Sequence, residues 1–352
     1  MSSPRRHRVA VAVPIAAELV DRLSRHAALD VAWEPDLLPP RRHAGDYAGD
    51  PTFRRSPQEQ SRYEQLVDGA EILFGIPDTS PAALARAVRA NPRLAWLHTM
   101  AAGGGSQVRD AGLDAHRLRT LRVSTSAGVH GHALAEFALL GLLAGLKDLP
   151  RWERDRRERA WPERAPVRQL RDATVLVLGS GGIGGAVADL LGALGAQVWA
   201  LVRDEASTVS PAVSRRITQD ELRDALPDVD AVVAALPDTP RTRHLVDAEF
   251  LARLRPGAIL VNVGRGTVVD EAALVAALDE RRVGFAALDV FEVEPLPATS
   301  PLWHHERVLM SPHTAALDAG EERRIVELFL DNVDRYIGGQ ELINEMDPVE
   351  FY

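Results

Sequence analysis

The chain has 352 residues, 46% of them hydrophobic and 26% charged, and carries a formal net charge of −9. This length suggests two domains, because a single hydrophobic core rarely grows beyond about 250–300 residues, and the negative charge argues against nucleic acid or an anionic membrane as the main partner. The sequence contains no cysteine and only one lysine, Lys147, which excludes disulfides, thiolate catalysis and cysteine-ligated zinc and disfavours Schiff-base catalysis.

The beginning of the chain does not have the pattern of a targeting segment. Pro14 and Glu18 interrupt the apolar run that follows the basic start, so the segment lacks the continuous apolar region of a signal peptide. No stretch reaches the roughly 20 apolar residues that span a membrane. We therefore expect a cytoplasmic protein without a membrane partner.

Short apolar runs alternate with helical patterns through the first hundred residues. The spacing of apolar residues predicts helices over 16–27 and 81–91. Residues 35–60, rich in Pro, Gly, Arg and Asp, predict a long loop with little regular structure. The pattern indicates a small α/β unit, whose predicted strands are residues 7–13, 69–75 and 94–99.

A second and stronger alternation follows a long apolar segment. Residues 131–149 predict a helix buried on most sides, between domains or subunits, and the charged stretch 151–161 comes after it. Beyond it, near-continuous apolar strands alternate with helices, which indicates a parallel sheet covered on both faces. Helical patterns occupy 183–194, 247–254 and 270–281. The predicted strands are residues 173–179, 196–202, 230–236, 257–263, 284–290 and 307–310.

The first strand of this second sheet ends in a glycine-rich turn. Gly179, Gly181 and Gly184 form the pattern G-x-G-x-x-G between a predicted strand and a predicted helix, with a further strand about twenty residues later. In this context the three glycines permit a tight turn, the approach of a diphosphate and close helix–strand packing. The helix N-terminus offers amides and a partial positive charge to the diphosphate. The turn therefore predicts a dinucleotide site, and no Gly-Lys-Ser/Thr follows that would indicate a P-loop.

Three polar residues lie just past the ends of three consecutive predicted strands. They are Arg265, Glu294 and His313. Because parallel strands end at one edge of a sheet, we expect all three beside the dinucleotide. An arginine there can bind a carboxylate through two hydrogen bonds and polarise the adjacent carbonyl. A histidine can donate a proton to that carbonyl, oriented by the glutamate.

His304 and His305 lie close to His313 and raise the alternative of a metal site. Zinc needs ligands with a spacing that brings them together, and no other cluster of His and Asp in the sequence supplies it. We interpret His304 and His305 as surface or subunit-contact residues and predict no metal.

These residues and motifs resemble the D-isomer-specific 2-hydroxyacid dehydrogenase family, which includes glyoxylate and hydroxypyruvate reductases. By this resemblance Arg265, Glu294 and His313 are catalytic, and the backbone amides of Ala102 and Gly103, in HTMAAGGG, receive the substrate carboxylate together with Arg265. The segments that carry the resemblance are VLGSGGIGGAVA, LPDTPRTRHLVDAEFLARLRPGAILVNVGRGTVVDEAAL, ALDVFEVEPLP and SPLWHHERVLMSPHTA.

The resemblance also implies the architecture and the remaining site residues. We expect a two-domain α/β protein with a doubly wound Rossmann domain over 124–317 and a smaller flavodoxin-like substrate domain formed by 1–123 and 318–352. The apolar helix and the arm ending near Trp161 resemble elements that form a homodimer in the family. The predicted cofactor-binding residues are Gly179, Gly181, Gly182, Ile183, Gly184, Arg203, Leu236, Pro237, Thr242, Val263 and Asp289, the last as a nicotinamide contact.

The choice between NAD and NADP depends on the end of the second strand. An NAD site favours Asp or Glu there, as an acceptor for the ribose hydroxyls. This chain has Val202, followed by Arg203, which can pair with a 2′-phosphate, so the sequence slightly favours NADP. Asp204, which can still turn towards the ribose, keeps NAD open.

Some features depart from the family or leave alternatives open. Ser126 stands where the family usually has Asn, and neither the 35–60 segment nor the tail GGQELINEMDPVEFY has a clear counterpart. A related dehydrogenase acting on phosphoglycerate or formate is one alternative to a keto-acid reductase. A non-enzymatic NAD(H)-sensing regulator is the other.

Overall fold

The computed structural model describes residues 5–204 and 206–351, which separate into two compact units. Residues up to 130, together with those from 317 onward, form the first unit, and residues 131–316 form the second. The domain boundaries expected from the sequence lie after 123 and after 317. They place residues 124–130 and 317 with the second unit, whereas the structure groups these residues with the first.

The strands are β1 His7–Val11, β2 Leu29–Ala32, β3 Ile72–Phe74, β4 Trp96–His98, β5 Arg122–Ser124, β6 Thr174–Leu178, β7 Gln197–Leu201, β8 Val213–Ile217, β9 Ala231–Ala234, β10 Ala258–Asn262, β11 Val283–Leu288 and β12 Val308–Met310. The helices are α1 Ala17–Ser24, α2 Pro57–Asp68, α3 Pro81–Ala90, α4 Gly105–Asp110, α5 Ala115–Thr120, α6 Gly131–Leu146, α7 Leu149–Glu158, α8 Gly182–Ala193, α9 Leu222–Ala225, α10 Ala248–Arg253, α11 Glu271–Asp279 and α12 Glu321–Ile337.

The first unit contains a parallel sheet in the order β2-β1-β3-β4-β5. This is the flavodoxin-like order that the sequence led us to expect. Each face of the sheet is covered by its own apolar cluster, one of which includes Phe329 of α12. Strands β2 and β5 were not predicted. They have only four and three residues, too few to show the alternation of apolar and polar residues that indicates a strand.

The 35–60 segment is mostly irregular, as predicted, but it is firmly attached to its own unit. Its end was wrongly predicted, since α2 begins at Pro57 behind a capping box between Ser56 and Glu59. Nη1 of Arg41 donates to both carboxylate oxygens of Glu322, at 2.5 and 2.8 Å. The amide of Gly45 also donates to Glu322. The segment is therefore anchored to the N-terminus of α12.

The C-terminal tail lies along β5, the edge strand of the first sheet. Arg122 pairs with Glu345, and the amide of Met346 donates to the carbonyl of Val123 at 2.8 Å. The tail therefore satisfies backbone groups that an edge strand would otherwise expose.

The second unit contains a parallel sheet in the order β12-β11-β10-β9-β6-β7-β8. The direction of strand addition reverses at β6, which pairs with β7 on one side and β9 on the other, as in a doubly wound Rossmann fold. The register aligns Asn262 of β10 with Leu288 of β11, and Leu288 with Met310 of β12. These three strands therefore end side by side. Strand β8 was not predicted, because three of its five residues are exposed and polar.

The apolar segment 131–149 does not form one helix, so this part of the prediction was wrong. Helix α6 ends at Leu146, Asp148 adopts a left-handed conformation with φ 56°, and α7 starts at Leu149 and takes up much of the charged stretch. One side of α6 packs on the sheet, where Gly141 allows close contact with Ala287. No helix in the described ranges is long and apolar enough to span a membrane.

Candidate active site

The glycine turn after β6 has the geometry that a dinucleotide diphosphate needs. Gly179 adopts a left-handed conformation with φ 103°, and a Cβ on Gly184 would lie 1.9 Å from the carbonyl oxygen of Gly179. These positions therefore require glycine, the second because helix α8 packs directly on the turn. A Cβ on Gly181 would meet no atom within 4 Å, so open space adjoins the N-terminus of α8 at Gly182 and Ile183. The residues present fit a bound diphosphate.

The other predicted cofactor residues follow neighbouring strands of the same sheet. Leu236 and Pro237 lie in the loop that follows β9, and the hydroxyl of Thr242 donates to the carbonyl of Pro237 at 2.6 Å, closing this loop. The amide of buried Val263 donates to the carbonyl of Ala234. Exposed Arg203 lies past the end of β7. These residues thus share the edge of the sheet with the glycine turn.

Arg265 is presented by a tight turn that Asn262 organises. Asn262 is buried, and its side-chain nitrogen Nδ2 donates to the backbone carbonyl of Arg265 at 3.0 Å. Its side-chain oxygen accepts from the backbone amide of Gly264 at 3.1 Å. Burial lowers the pKa of the Arg265 guanidinium, while the nearby carboxylates of Glu294 and Asp238 act in the opposite direction. A partly desolvated guanidinium in this position interacts more strongly with an anion than one in bulk water. Asn262 was not among the residues predicted from the sequence, although an Asn at the end of an apolar strand is a signal for such a turn.

The turn that carries Arg265 touches the loop that carries Glu294. A Cβ on Gly266 would lie 1.9 Å from the backbone carbonyl atoms of Phe291, so two backbone segments meet there without a side chain between them. The amide of Phe291 donates to Oε1 of Glu294 at 2.9 Å. The spacing between Arg265 and Glu294 is therefore determined by backbone contact rather than by flexible side chains.

Glu294 and His313 form a hydrogen-bonded pair. Nδ1 of His313 lies 2.7 Å from Oε2 of Glu294, and the two side chains are 50% and 35% exposed, respectively. Because an ionised carboxylate only accepts hydrogen bonds, it places the proton on Nδ1. The second ring nitrogen, Nε2, is bound to no protein group among the described residues, so it is left for a ligand.

Asp289 holds the backbone on both sides of His313. Its carbonyl accepts from the amide of His313 at 2.9 Å, and its Oδ1 accepts from the amides of Thr314 and Ala315, each at 3.0 Å. His313 itself adopts a left-handed conformation with φ 57°. Asp289 is buried, so these bonds are protected from water. The structure thus gives Asp289 a positioning role, whereas the sequence predicted it only as a nicotinamide contact.

A second group of carboxylates adjoins Glu294. The amide of Glu292 donates to Glu271 at 2.5 Å, and the carboxylate of Glu292 pairs with His244. Burial raises the pKa of Glu271, and the neighbouring charges of Glu292 and Glu294 act in the same direction. Glu271 begins α11, so this contact attaches the 291–294 loop to a helix.

His304 and His305 do not approach the His313–Glu294 pair through any contact in the described ranges. His304 is exposed at the end of a short 3-10 turn, whereas Nδ1 of His305 accepts from the amide of Arg307 at 3.2 Å. No group of three or more His, Cys, Asp or Glu side chains among the described residues is arranged to hold a metal ion.

Ala102 and Gly103 lie in the first unit, in the loop between β4 and α4. Both are partly exposed. Among residues 5–204 and 206–351, no protein group accepts a hydrogen bond from the backbone N–H of either residue. These two amides are thus available to an anion.

Fold and site together define a class: a two-unit α/β protein with a dinucleotide turn and an Arg, Glu and His group at the same sheet edge. The family model for "D-isomer specific 2-hydroxyacid dehydrogenase, NAD binding domain" matches residues 139–315. The chain therefore belongs to the D-isomer-specific 2-hydroxyacid dehydrogenase family, and the resemblance drawn from the motifs is confirmed. It is an NAD(P)-dependent oxidoreductase of that family.

Individual relatives agree with this assignment. (S)-sulfolactate dehydrogenase of Chromohalobacter salexigens is 35% identical over 232 residues, which cover 64% of this chain and 73% of that protein. Glyoxylate/hydroxypyruvate reductase A of Salmonella heidelberg is 31% identical over 222 residues, which cover 63% of this chain and 70% of that protein. The solved structure of a D-isomer specific 2-hydroxyacid dehydrogenase from Xanthobacter autotrophicus Py2, in complex with NADPH and MES, is 30% identical, with a TM-score of 0.77 over 99% of this chain and 100% of that chain.

Proposed function

We propose that the chain catalyses the NADPH-dependent reduction of a small 2-keto acid, such as glyoxylate or hydroxypyruvate, to the D-2-hydroxy acid. The observation that carries the proposal is the 2.7 Å pair of His313 and Glu294. The two residues lie in the loops that follow β12 and β11, strands that end beside β10, which leads to Arg265. When bound, the nicotinamide supplies the hydride that the carbonyl carbon receives.

The side chains have distinct parts in the reaction. The guanidinium of Arg265 binds the carboxylate and polarises the carbonyl oxygen, on which negative charge develops. Nε2 of protonated His313 donates its proton to that oxygen, while Glu294 holds the ring through Nδ1 and stabilises its charged form. The amides of Ala102 and Gly103 bind a carboxylate oxygen. In the oxidative direction, neutral His313 accepts the hydroxyl proton.

The residues after β7 support a preference for NADPH. Val202 is buried and presents no carboxylate. Oδ1 of Asp204 accepts from the hydroxyl of Ser207 at 3.2 Å, within its own turn. Repulsion of a 2′-phosphate by Val202 and Asp204 is therefore weak, and exposed Arg203 can bind the phosphate.

A homodimer is the proposed assembly. Helix α6 and the following segment expose large apolar side chains in the described chain, a pattern that marks a protein contact. They are Leu140, Leu143, Trp152 and Trp161. The oligomeric state in solution, measured by light scattering, tests this. Localisation in the cytoplasm stays a prediction.

To test the function, a panel of 2-keto acids is assayed with NADPH and with NADH. Oxidation of the reduced nicotinamide is followed by its loss of absorbance. Turnover of at least one keto acid that disappears in Arg265→Ala supports the proposal. Binding of NADPH without turnover of any keto acid would instead favour an NAD(H)-sensing regulator.

A further inference from the structure

A buried hydrogen-bond network ends at the loop of Ala102 and Gly103. His98, at the end of β4, is completely buried. Its Nδ1 lies 2.8 Å from the hydroxyl of Ser124, and its Nε2 lies 3.2 Å from the hydroxyl of Ser126. Nε1 of Trp96 donates to Ser124 at 2.9 Å, and the Ser126 hydroxyl donates to the carbonyl of Thr99 at 2.9 Å.

The direction of every hydrogen bond in this network follows from its two ends. The carbonyl of Thr99 can only accept, so Ser126 uses its proton there and must accept from Nε2–H of His98. Burial lowers the pKa of His98 to about 3, so the ring is neutral and Nδ1 carries no proton. The Ser124 hydroxyl then donates to Nδ1 and accepts from Trp96, which can only donate. One tautomer of His98 satisfies every group.

The network reaches the loop through Thr99. The amide of Thr99 donates to the carbonyl of Ser124 at 2.9 Å, and its hydroxyl donates to the carbonyl of Ala101 at 3.0 Å. With Ser126 bound to its carbonyl, all polar groups of Thr99 are engaged. A Cβ on Gly104 would lie 2.1 Å from Oγ1 of Thr99, so the far end of the loop folds directly onto this residue.

We propose that His98 and Ser126 are positioning residues, which fix the 99–104 loop so that the amides of Ala102 and Gly103 are held ready for the substrate carboxylate. The link to the substrate rests on the proposed function, whereas the hydrogen-bond directions and the fixed loop do not. A preorganised loop lowers the entropy lost on binding and so strengthens substrate binding. His98 and Ser126 act without touching the substrate.

Ser126→Ala removes the donor to Thr99 and leaves the fold of β4 and β5 in place. We expect KM for the best keto acid to rise about tenfold, the scale of one hydrogen bond lost from a buried carbonyl, with kcat within about threefold of wild type. The dissociation constant for NADPH is expected to be unchanged. Ser24→Ala is the matched control, because Ser24 also donates to a backbone carbonyl at 2.9 Å in the same unit, that of Val20, and it is expected to keep the wild-type KM.

Two further measurements distinguish a failure of the proposed positioning role from a failure of the proposed enzyme function. Amide hydrogen exchange of Thr99 and Gly104, whose amides donate to the carbonyls of Ser124 and Ala101, is expected to be about tenfold faster in Ser126→Ala than in wild type. Long-range 1H–15N spectra should show His98 with a proton on Nε2 from pH 5 to 8. Unchanged exchange, or a proton on Nδ1, overturns the positioning role even in a protein without keto-acid turnover. If wild type is active and Ser126→Ala has the same KM, the link between the network and substrate binding is overturned. Absent turnover in wild type, with faster loop exchange in the variant, counts against the proposed function alone.

Discussion

The imidazole of His313 and the carboxylate of Glu294 lie 2.7 Å apart although they are 19 positions apart in the chain. Asp289, at the end of β11, and the aligned ends of β10, β11 and β12 bring them to one edge of the sheet. The pair defines which ring nitrogen is bound to protein and which one is left to exchange a proton with a ligand.

Replacing His313 by Asn should lower kcat by about 10²–10⁴, the usual scale for loss of a general acid. Cofactor binding should stay nearly unchanged, because the glycine turn follows a different strand. Steady-state kinetics and NADPH titration by fluorescence measure the two effects. A variant that reduces the best keto acid at the wild-type rate would show that another group donates the proton.

Gly266→Ala should impair catalysis without altering any polar side chain. The new Cβ would lie 1.9 Å from the backbone of Phe291, so the turn of Arg265 and the loop of Glu294 must move apart. A displacement of about 1 Å can cost about 10²-fold in rate, and overpacking should reduce the free energy of unfolding by about 1–3 kcal/mol. Gly257→Ala offers a comparison in the same unit, since its Cβ meets no neighbour, although its φ of 77° also adds backbone strain. Wild-type kcat/KM in Gly266→Ala would contradict the proposed backbone contact.

Stability should fall as the pH is lowered below about 6.5, because His98 is buried in its neutral form. Unfolded histidine takes up a proton near pH 6.5, whereas in the folded protein burial lowers the pKa of His98 to about 3. The unfolded state therefore binds more protons across this window. Between pH 7 and pH 5 this residue alone should remove about 2 kcal/mol of stability. Urea unfolding of wild type and His98→Gln at both pH values isolates the contribution, which is refuted if the two proteins lose the same amount.

Arg203→Ala should reduce kcat/KM with NADPH by about 10- to 100-fold, the range for a charge-assisted hydrogen bond to phosphate. The value with NADH should change little, because NADH lacks the 2′-phosphate. Both cofactors are compared in both proteins at one keto-acid concentration. A wild-type preference for NADH, or an alanine variant with unchanged kcat/KM for NADPH, would contradict the proposed role of Arg203 in binding the 2′-phosphate.

The double variant His304→Ala, His305→Ala should retain activity, and chelators should have no effect. His305 hydrogen-bonds the amide of Arg307, so we expect at most a small loss of stability, about 1 kcal/mol. Activity is measured before and after incubation with EDTA. Reproducible inactivation by EDTA that zinc restores would contradict the prediction of a metal-free site.

The amino-acid sequence by itself determined the fold class, the glycine turn and the edge of the sheet where the polar residues lie. Long apolar strands alternating with helices have few alternative architectures, and a strand, a glycine-rich turn and a helix in succession depend on local conformation. Local signals were weaker where a strand was short or polar, and β2, β5 and β8 were missed for this reason. The break between α6 and α7 was missed although Pro150, in the first turn of α7, is a local signal for the start of a new helix.

Only the tertiary structure decided which groups hold the candidate site in place. Asp289 and Glu271 accept hydrogen bonds from backbone amides that lie 21 to 26 positions away along the chain. The tautomer of His98 depends on two serines, at the end of β5 and just after it, 26 and 28 positions away. Periodicity and turn chemistry report interactions within one element. Hydrogen bonds between elements depend on strand order and register, which determine distances that no local pattern encodes.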